Sequence, residues 1–214
     1  MMDKLNTILF DFDGTLIDIK IDFAKMKDEV LSLGREYGIS PNSDLYILES
    51  IYHIYNELQK KDNSLANTFK QQAMEILVNI EVEATTTSRA FPFADETLRQ
   101  LRSKGIKVGI VTRNCRPAVL KSSEMAGFEY DLLLTRDDVK KVKPDPQHLL
   151  DALNILGSKA DNSIMVGDHP MDILAGKRAG MKTAAVLTVK PRKDFDEVSP
   201  DLILNDVSDI LEIF

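Results

Sequence analysis

The spacing of hydrophobic residues changes twice along the chain. Near the start, Ile8, Leu9 and Phe10 form an apolar run that ends in acidic residues, so segment 5–16 predicts a strand followed by a loop. Residues 21–84 show only the spacing typical of helices. From about residue 92 onward, short apolar runs alternate with helical patterns, which indicates strands joined by helices.

The helical segment has three apolar stripes whose members recur every three or four residues, as on one face of a helix. Turn residues at 34–42 and 61–64 separate the stripes. The stripes consist of Phe23, Met26, Val30 and Leu33, then Leu45, Leu48, Ile51, Tyr55 and Leu58, then Leu65, Phe69, Ala73, Ile76 and Ile80.

The remainder predicts strands at 106–112, 131–135, 163–167, 183–187 and 201–204, with helices near 95–104, 116–126, 146–156 and 170–179. The strands are apolar without alternation, which is typical of a parallel sheet covered on both faces. We therefore predict an α/β fold with a doubly wound parallel sheet, Rossmann-like, formed by residues 1–17 and 92–214. An α-helical cap, residues 18–91, is inserted after the first strand.

Composition narrows the class of protein. With 214 residues, 43% hydrophobic and 29% charged, the chain suits one globular domain with an insertion. A net charge of −7 argues against nonspecific binding to nucleic acid or to an anionic membrane. The single cysteine excludes an internal disulfide. The sequence shows no signal peptide or membrane helix, so a cytoplasmic protein is expected, with its oligomeric state open.

Acidic residues follow two of the predicted strands, at the edge where such sheets bind ligands. Asp11 and Asp13 follow the first strand, and Asp168 and Asp172 follow the strand at 163–167. Carboxylates this close repel one another, and a divalent cation relieves the repulsion. Mg²⁺ favours carboxylate oxygens together with waters and substrate phosphate. Another acid, Asp145, fits the simpler role of a helix N-cap.

Groups suited to binding a phosphate follow the neighbouring strands. Lys143 supplies a positive charge, Thr112 supplies a hydroxyl, and Pro144 restricts the backbone of Lys143. Gly14 allows the loop after the first strand to turn its backbone N–H groups inward, as an anion site requires. The pattern therefore predicts a magnesium and phosphate site at one edge of the sheet.

These motifs resemble those of the haloacid dehalogenase-like superfamily of phosphohydrolases. The resemblance covers nearly the whole chain and rests on four motifs in the family's order. The inserted helices are similar to those of subclass I members, and Val166-Gly167-Asp168 is similar to the phosphoglycolate phosphatase-like branch. The motifs are Asp11-Phe12-Asp13-Gly14-Thr15-Leu16, Thr112, Lys143-Pro144-Asp145, and Gly167-Asp168 with Asp172.

The resemblance implies a Mg²⁺-dependent phosphatase acting on a small phosphorylated metabolite. Asp11 would attack phosphorus and form an aspartyl-phosphate, and Asp13 would protonate the leaving oxygen and then activate water. Dehalogenases resemble this fold but lack the second acid, so Asp13 makes dehalogenation unexpected. The implied metal ligands are Asp11, Asp13 through its carbonyl, Asp168 and Asp172. The implied phosphate-binding residues are Phe12, Thr112, Arg113 and Lys143.

Some residues depart from the family pattern or have two interpretations. Arg113 would touch phosphate or face solvent, and His169 would reach substrate or open a helix. Cys115 is expected to be a spectator, because no histidine pairs with it in the sequence. The segment from Phe91 to Asp95 lacks the glycine common at the second hinge. Candidates for substrate choice are Asp18, Lys20, Lys25, Arg89 and the segment 190–193.

Other functions remain open at this point. A phosphomutase would return the phosphoryl group to a sugar through the same chemistry. A phospho-receiver domain gathers similar groups, but it needs only about 120 residues, carries its phosphorylated aspartate on the third strand and has no inserted cap. A regulatory protein could keep the fold without turnover.

Overall fold

The computed structural model describes residues 5–40 and 44–214, and the chain divides into two compact units. One unit comprises the residues up to Ile19 together with Thr87–Phe214, and the other comprises Lys20–Thr86. These limits lie inside the proposed cap boundaries of 18 and 91. The difference arises because two short strands pair beside the junctions, β2 (Ile17–Asp18) and β3 (Arg89–Ala90).

The larger unit is built on a parallel sheet of six strands in the order β5-β4-β1-β6-β7-β8. Four α-helices of this unit connect or flank the strands, and a 3-10 helix spans Val207–Ile213 near the chain end. The strands are β1 (Thr7–Phe10), β4 (Lys107–Val111), β5 (Leu132–Leu134), β6 (Ser163–Gly167), β7 (Lys182–Val186) and β8 (Leu202–Leu204). The four α-helices are α4 (Ala94–Ser103), α5 (Arg116–Ala126), α6 (Gln147–Leu156) and α7 (Pro170–Arg178).

The sheet confirms the predicted α/β, doubly wound fold. Alternate residues of β1 belong to two hydrophobic cores: Ile8 and Phe10 pack on one face of the sheet, and Leu9 packs on the other. All four residues of β1 are buried, which explains the apolar run without alternation. The sequence analysis did not identify β2, β3 or the 3-10 helix, because each is too short to show a period.

The smaller unit contains three helices, α1 (Phe23–Glu36), α2 (Ile47–Gln59) and α3 (Asn63–Ala84). Side chains of Asp22 and Asp62 cap the starts of α1 and α3. At least half of each predicted stripe is buried, but Phe23 and Leu65, each in the first turn of its helix, are exposed. Pro41 and Asn42 of the first predicted turn lie outside the described residues.

Packing inside this unit joins all three helices. The ring of Tyr37 meets Phe69 edge to face at 5.5 Å, and the Tyr37 hydroxyl donates to Gln72 at 2.7 Å.

None of the described helices, here or in the larger unit, combines the length and apolar composition needed to cross a membrane.

Phe93 has a backbone conformation that L-residues rarely adopt. It precedes α4 with φ 65° and ψ 0°, in the left-handed region, and its side chain is 62% exposed. This is the segment in which the sequence lacks the family's glycine. Outside glycine the left-handed conformation costs roughly 1–2 kcal/mol, and little burial of the ring offsets that cost here.

We expect Phe93→Gly to raise the free energy of unfolding by about 0.5–1 kcal/mol, because relief of backbone strain exceeds the added flexibility of the unfolded chain. Phe93→Ala is the matched control, since it removes the ring and keeps the Cβ atom that causes the strain. Urea denaturation of both variants measures the difference. Equal stability of the Gly and Ala variants would contradict a strained Phe93.

Candidate active site

The candidate site lies at the carboxyl edge of the sheet, where the strand order reverses around β1. Strand β1 lies between β4 and β6, and Phe10 is level with both Ile110 and Val166. Asp11 therefore leaves the sheet beside the ends of both neighbours, and its N–H donates to the Val166 carbonyl at 2.9 Å. The sequence motifs after β1, β4 and β6 are thus brought to one edge.

The loop after β1 is tied to the loop after β6. The hydroxyl of Thr15 donates to Asp168 Oδ1 at 3.2 Å and accepts from the Asp168 N–H at 3.0 Å. Gly14 has φ 81°, and a Cβ atom on it would overlap the Asp168 carboxylate. Gly167 is equally confined, because a Cβ atom there would overlap Asp172. Both glycines are therefore required by the close approach of acidic side chains.

Lys143 lies at the centre of the acidic side chains. Its ammonium is 2.8 Å from Asp11 Oδ1 and 2.7 Å from Asp172 Oδ1, and only 1% of its side chain is exposed. Burial alone would lower the pKa of Lys143, but the two carboxylates raise it above its usual value. Lys143 is therefore a fixed buried cation and not a solvated surface lysine.

Two side chains hold the backbone of Lys143. Its N–H donates to Nδ1 of His148 at 3.4 Å, and its carbonyl accepts from Nη1 of Arg113. His148 is fully buried, and burial together with the positive charge of Lys143 lowers its pKa to about 3. His148 is therefore neutral and can accept this hydrogen bond. The sequence analysis did not identify His148, although its position five residues after Lys143 on a helix start was visible.

Three carboxylates, Asp11, Asp168 and Asp172, offer oxygens that all lie within 4.8 Å of one another. Burial and the charge of Asp172 raise the pKa of Asp11 to about 6. Burial and the charges of Asp11 and Asp172 raise the pKa of Asp168 to about 8. The single ammonium of Lys143 balances only part of the negative charge of these three carboxylates. The three side chains could therefore hold a divalent cation, which prefers oxygen ligands.

Asp13 has a different set of partners. Its Oδ2 accepts from the Thr112 hydroxyl at 3.3 Å, and its Oδ1 accepts from Nδ2 of Asn114 at 2.9 Å. These are neutral donors, whereas Asp11 is paired with an ammonium. The sequence analysis did not identify Asn114, although its polar amide two residues after Thr112 was a usable signal.

The remaining predicted phosphate-binding residues are found beside Asp11 and Lys143. The side chain of Phe12 is fully buried against Phe128, with ring centroids 6.3 Å apart, so Phe12 can offer only backbone groups to a ligand. Its N–H donates to the Asp11 carboxylate. Arg113 is half-buried, and Nη1 of its guanidinium also contacts Sδ of Met171 at 3.4 Å. The guanidinium of Arg113 is therefore held beside Lys143 and is only partly open to solvent.

His169 opens α7. Its Nδ1 accepts from the Met171 N–H at 3.1 Å, and its own N–H donates to Asp172 Oδ2 at 3.1 Å. This reciprocal capping confirms the helix-opening role. Burial, followed by the positive charge of Lys190, lowers the pKa of His169 to about 4. Lys190 therefore lies near enough to His169 for its positive charge to act on that side chain.

Other candidates are not brought into these contacts. Asp145 accepts from the Gln147 N–H at 2.9 Å, as a helix cap does. Asp18 and Arg89 face each other in the β2–β3 pair. The thiol of Cys115 is fully buried and forms no disulfide.

Comparison with known proteins agrees with the family resemblance of the sequence motifs. The family model described as haloacid dehalogenase-like hydrolase matches residues 8–186. The pyrophosphatase PpaX of Bacillus cereus (strain AH820) is 36% identical, covering 98% of this chain and 96% of that protein. PpaX of Bacillus mycoides (strain KBAB4) is 34% identical, covering 98% and 97%.

Solved structures share the fold. A hydrolase from Pseudomonas syringae superposes with a TM-score of 0.68 at 21% identity, covering 97% of this chain and 96% of that one. A protein from Haemophilus somnus 129PT, whose predicted activity is that of a phosphoglycolate phosphatase, superposes with a TM-score of 0.66 at 21% identity, covering 100% and 99%. With these motifs on one sheet edge and relatives along its whole length, the chain belongs to the haloacid dehalogenase-like hydrolase family and is a phosphohydrolase.

Proposed function

We propose that this protein is a Mg²⁺-dependent phosphatase that hydrolyses a small phosphorylated metabolite through an aspartyl-phosphate on Asp11. The observation that carries the proposal is the ion pair between Asp11 and the buried ammonium of Lys143, 2.8 Å apart at the end of the central strand. A carboxylate held in this way is a fixed nucleophile beside a fixed positive charge, as phosphoryl transfer requires.

In the first step, an oxygen of Asp11 attacks phosphorus and the bond to the leaving oxygen breaks. Asp13 gives its proton to that oxygen. In the second step, Asp13 takes a proton from water while the water oxygen attacks phosphorus and releases Asp11. Lys143 and the Thr112 hydroxyl stabilise the charge on the transferring phosphoryl oxygens. Asp13 accepts from the amide of Asn114, whereas Asp11 is paired with an ammonium, and this difference suits an acid and a nucleophile respectively.

The residues that would hold Mg²⁺ are Asp11, Asp168, Asp172 and the backbone carbonyl of Asp13. When bound, Mg²⁺ supplies positive charge that offsets the carboxylates and the phosphate. The three clustered carboxylates fit such an ion, because Lys143 balances only part of their charge.

We expect Asp11→Asn to lower kcat for phosphate release by more than about 10³-fold while leaving the fold intact, because the amide cannot attack phosphorus. Release would be measured on para-nitrophenyl phosphate and on a panel of phosphometabolites, with Mg²⁺ and with a chelator. Asp145→Asn is the matched control, since Asn also caps the start of α6. Full activity of Asp11→Asn would contradict the nucleophile, and a sugar phosphate product would favour a mutase.

The metal-free protein should lose stability as pH rises. The folded-state pKa values of Asp11 and Asp168 are about 6 and about 8, above the usual value for aspartate. The lowered pKa values of His148 and His169 act in the opposite direction below about pH 7, where the histidines of the unfolded chain bind protons. Above about pH 7, Asp168 still binds a proton in the folded state and not in the unfolded state, so the free energy of unfolding falls as the pH rises toward about 9. We expect a fall of at least about 1 kcal/mol.

This dependence would be measured by urea denaturation in a chelator at about pH 7 and about pH 9. Added Mg²⁺ should restore stability, most strongly at the higher pH where both carboxylates are ionised. Stability that rises with pH in the chelator, or no response to Mg²⁺, would contradict the metal site.

Inorganic pyrophosphate is a second candidate substrate. PpaX relatives with 36% identity over nearly the whole chain are named pyrophosphatases. Lys190 and Arg113 add positive charge beside His169, which suits a ligand carrying a second phosphate. Pyrophosphate would undergo the same attack by Asp11, with phosphate as the leaving group.

We expect Lys190→Gln to raise the KM for pyrophosphate by about three- to tenfold and to change the KM for a phosphomonoester less, because a lost charge-assisted contact has about this effect. Lys193→Gln is the control, since Lys193 lies in the same segment and is exposed. Steady-state kinetics on both substrates provides the comparison. An equal change for the two substrates would contradict a second phosphate position at Lys190.

A further inference from the structure

The side chain of Asn114 is fixed in one orientation beside Asp13. The residue is 3% exposed, its Oδ1 accepts from the Cys115 N–H at 2.7 Å, and its Nδ2 donates to Asp13 Oδ1 at 2.9 Å. Because the oxygen is committed to a backbone donor, the NH₂ end must face Asp13. The two ends of the amide therefore cannot exchange without losing both bonds.

The backbone of Asn114 is also held. Its N–H donates to the Thr112 hydroxyl at 3.1 Å, and its carbonyl accepts from the Arg136 N–H at 3.3 Å. The Arg136 side chain, which is 2% exposed, donates to the carbonyl of Arg113 at 3.1 Å. The turn after β4 is thus braced on both sides of Asn114, and the amide is presented from a rigid support.

We propose that Asn114 is the positioning residue for the acid and base Asp13, an inference that rests on the proposed function. Asn114 holds Oδ1 of Asp13 and so directs Oδ2 toward the leaving oxygen. The Thr112 hydroxyl contacts Oδ2 at the longer distance of 3.3 Å. When a phosphoryl group takes up that hydroxyl, the bond from Asn114 stays in place and Oδ2 is released for proton transfer.

Asp13 loses one proton in the first step and regains one in the second, so protons balance over the two steps. Oδ2 of Asp13 gives its proton to the leaving oxygen as the phosphorus–oxygen bond breaks. It then takes a proton from water as the water oxygen bonds to phosphorus and the bond between Asp11 and phosphorus breaks. Asn114 exchanges no proton in either step; it fixes the direction of the carboxylate.

The test compares two leaving groups in Asn114→Ala. An alkyl leaving oxygen is strongly basic and needs a proton as it departs, whereas para-nitrophenolate departs with little help. General acid catalysis contributes about 10²–10⁴-fold, so loss of its alignment should lower kcat for an alkyl phosphate by about 10- to 100-fold. Formation of the phosphoenzyme from para-nitrophenyl phosphate should fall by less than about threefold, since it depends little on that proton.

A second measurement follows the intermediate. Breakdown of the aspartyl-phosphate needs Asp13 as a base whichever substrate formed it. In Asn114→Ala, rapid mixing with para-nitrophenyl phosphate and Mg²⁺ should therefore give a burst of para-nitrophenol close to one equivalent of enzyme. A slow steady state should follow the burst. A purely structural role for Asn114 would produce neither a burst nor a dependence on the leaving group.

Cys115→Ala is the matched control. Cys115 is buried in the same turn, and its substitution keeps the N–H that Asn114 accepts. We expect the control to change alkyl and aryl rates by the same factor. Asn114→Asp is the second variant in case the alanine variant unfolds, because it keeps the acceptor for Cys115. Its carboxylate would share a proton with Asp13 instead of directing it, so the selective loss on alkyl phosphates should persist.

The outcomes separate this inference from the proposed function. If the wild type hydrolyses phosphomonoesters and Asp11→Asn does not, the proposed function stands. Equal losses on alkyl and aryl phosphates in folded Asn114 variants, without a burst, would then overturn the positioning role alone. A wild type without turnover on either substrate would overturn both.

Discussion

The ammonium of Lys143, buried between Asp11 and Asp172, is the interaction on which the rest of the site depends. One positive charge at 2.8 and 2.7 Å allows carboxylates to be packed where water cannot solvate them. The surrounding chain is shaped around this group: Gly14 and Gly167 lack the Cβ atoms that would overlap acidic side chains. Burying these charges costs free energy, but the same charges would be available to bind a metal ion and a phosphate.

The parallel sheet provides the geometry for that interaction. Its strand order reverses at β1, so segments distant in sequence end at one edge. Burial raises the pKa of Asp11 and of Asp168, so the folded protein without a metal ion disfavours the ionised form of both carboxyl groups. A divalent cation bound here would stabilise the ionised carboxylates, so its binding would be thermodynamically linked to folding.

Two aspartates of one short loop have separate environments. Asp11 faces an ammonium and other carboxylates, whereas Asp13 faces the hydroxyl of Thr112 and the amide of Asn114. Environments that differ in this way assign different chemistry to identical side chains. The division supports the proposed nucleophile at Asp11 and the proposed proton carrier at Asp13, and it is the basis for the positioning role proposed for Asn114.

Hydrophobic spacing by itself determined the strands of the parallel sheet, the α-helices and their order, because burial on one or two faces leaves a period that local sequence records. The motif order also predicted that Asp11, Thr112, Lys143 and Asp168 share an edge. Tertiary structure alone decided the partner of each side chain, such as Asn114 on Asp13. Hydrogen bonds and ion pairs depend on orientation to within about an ångström, and contacts between distant segments leave no period in the sequence.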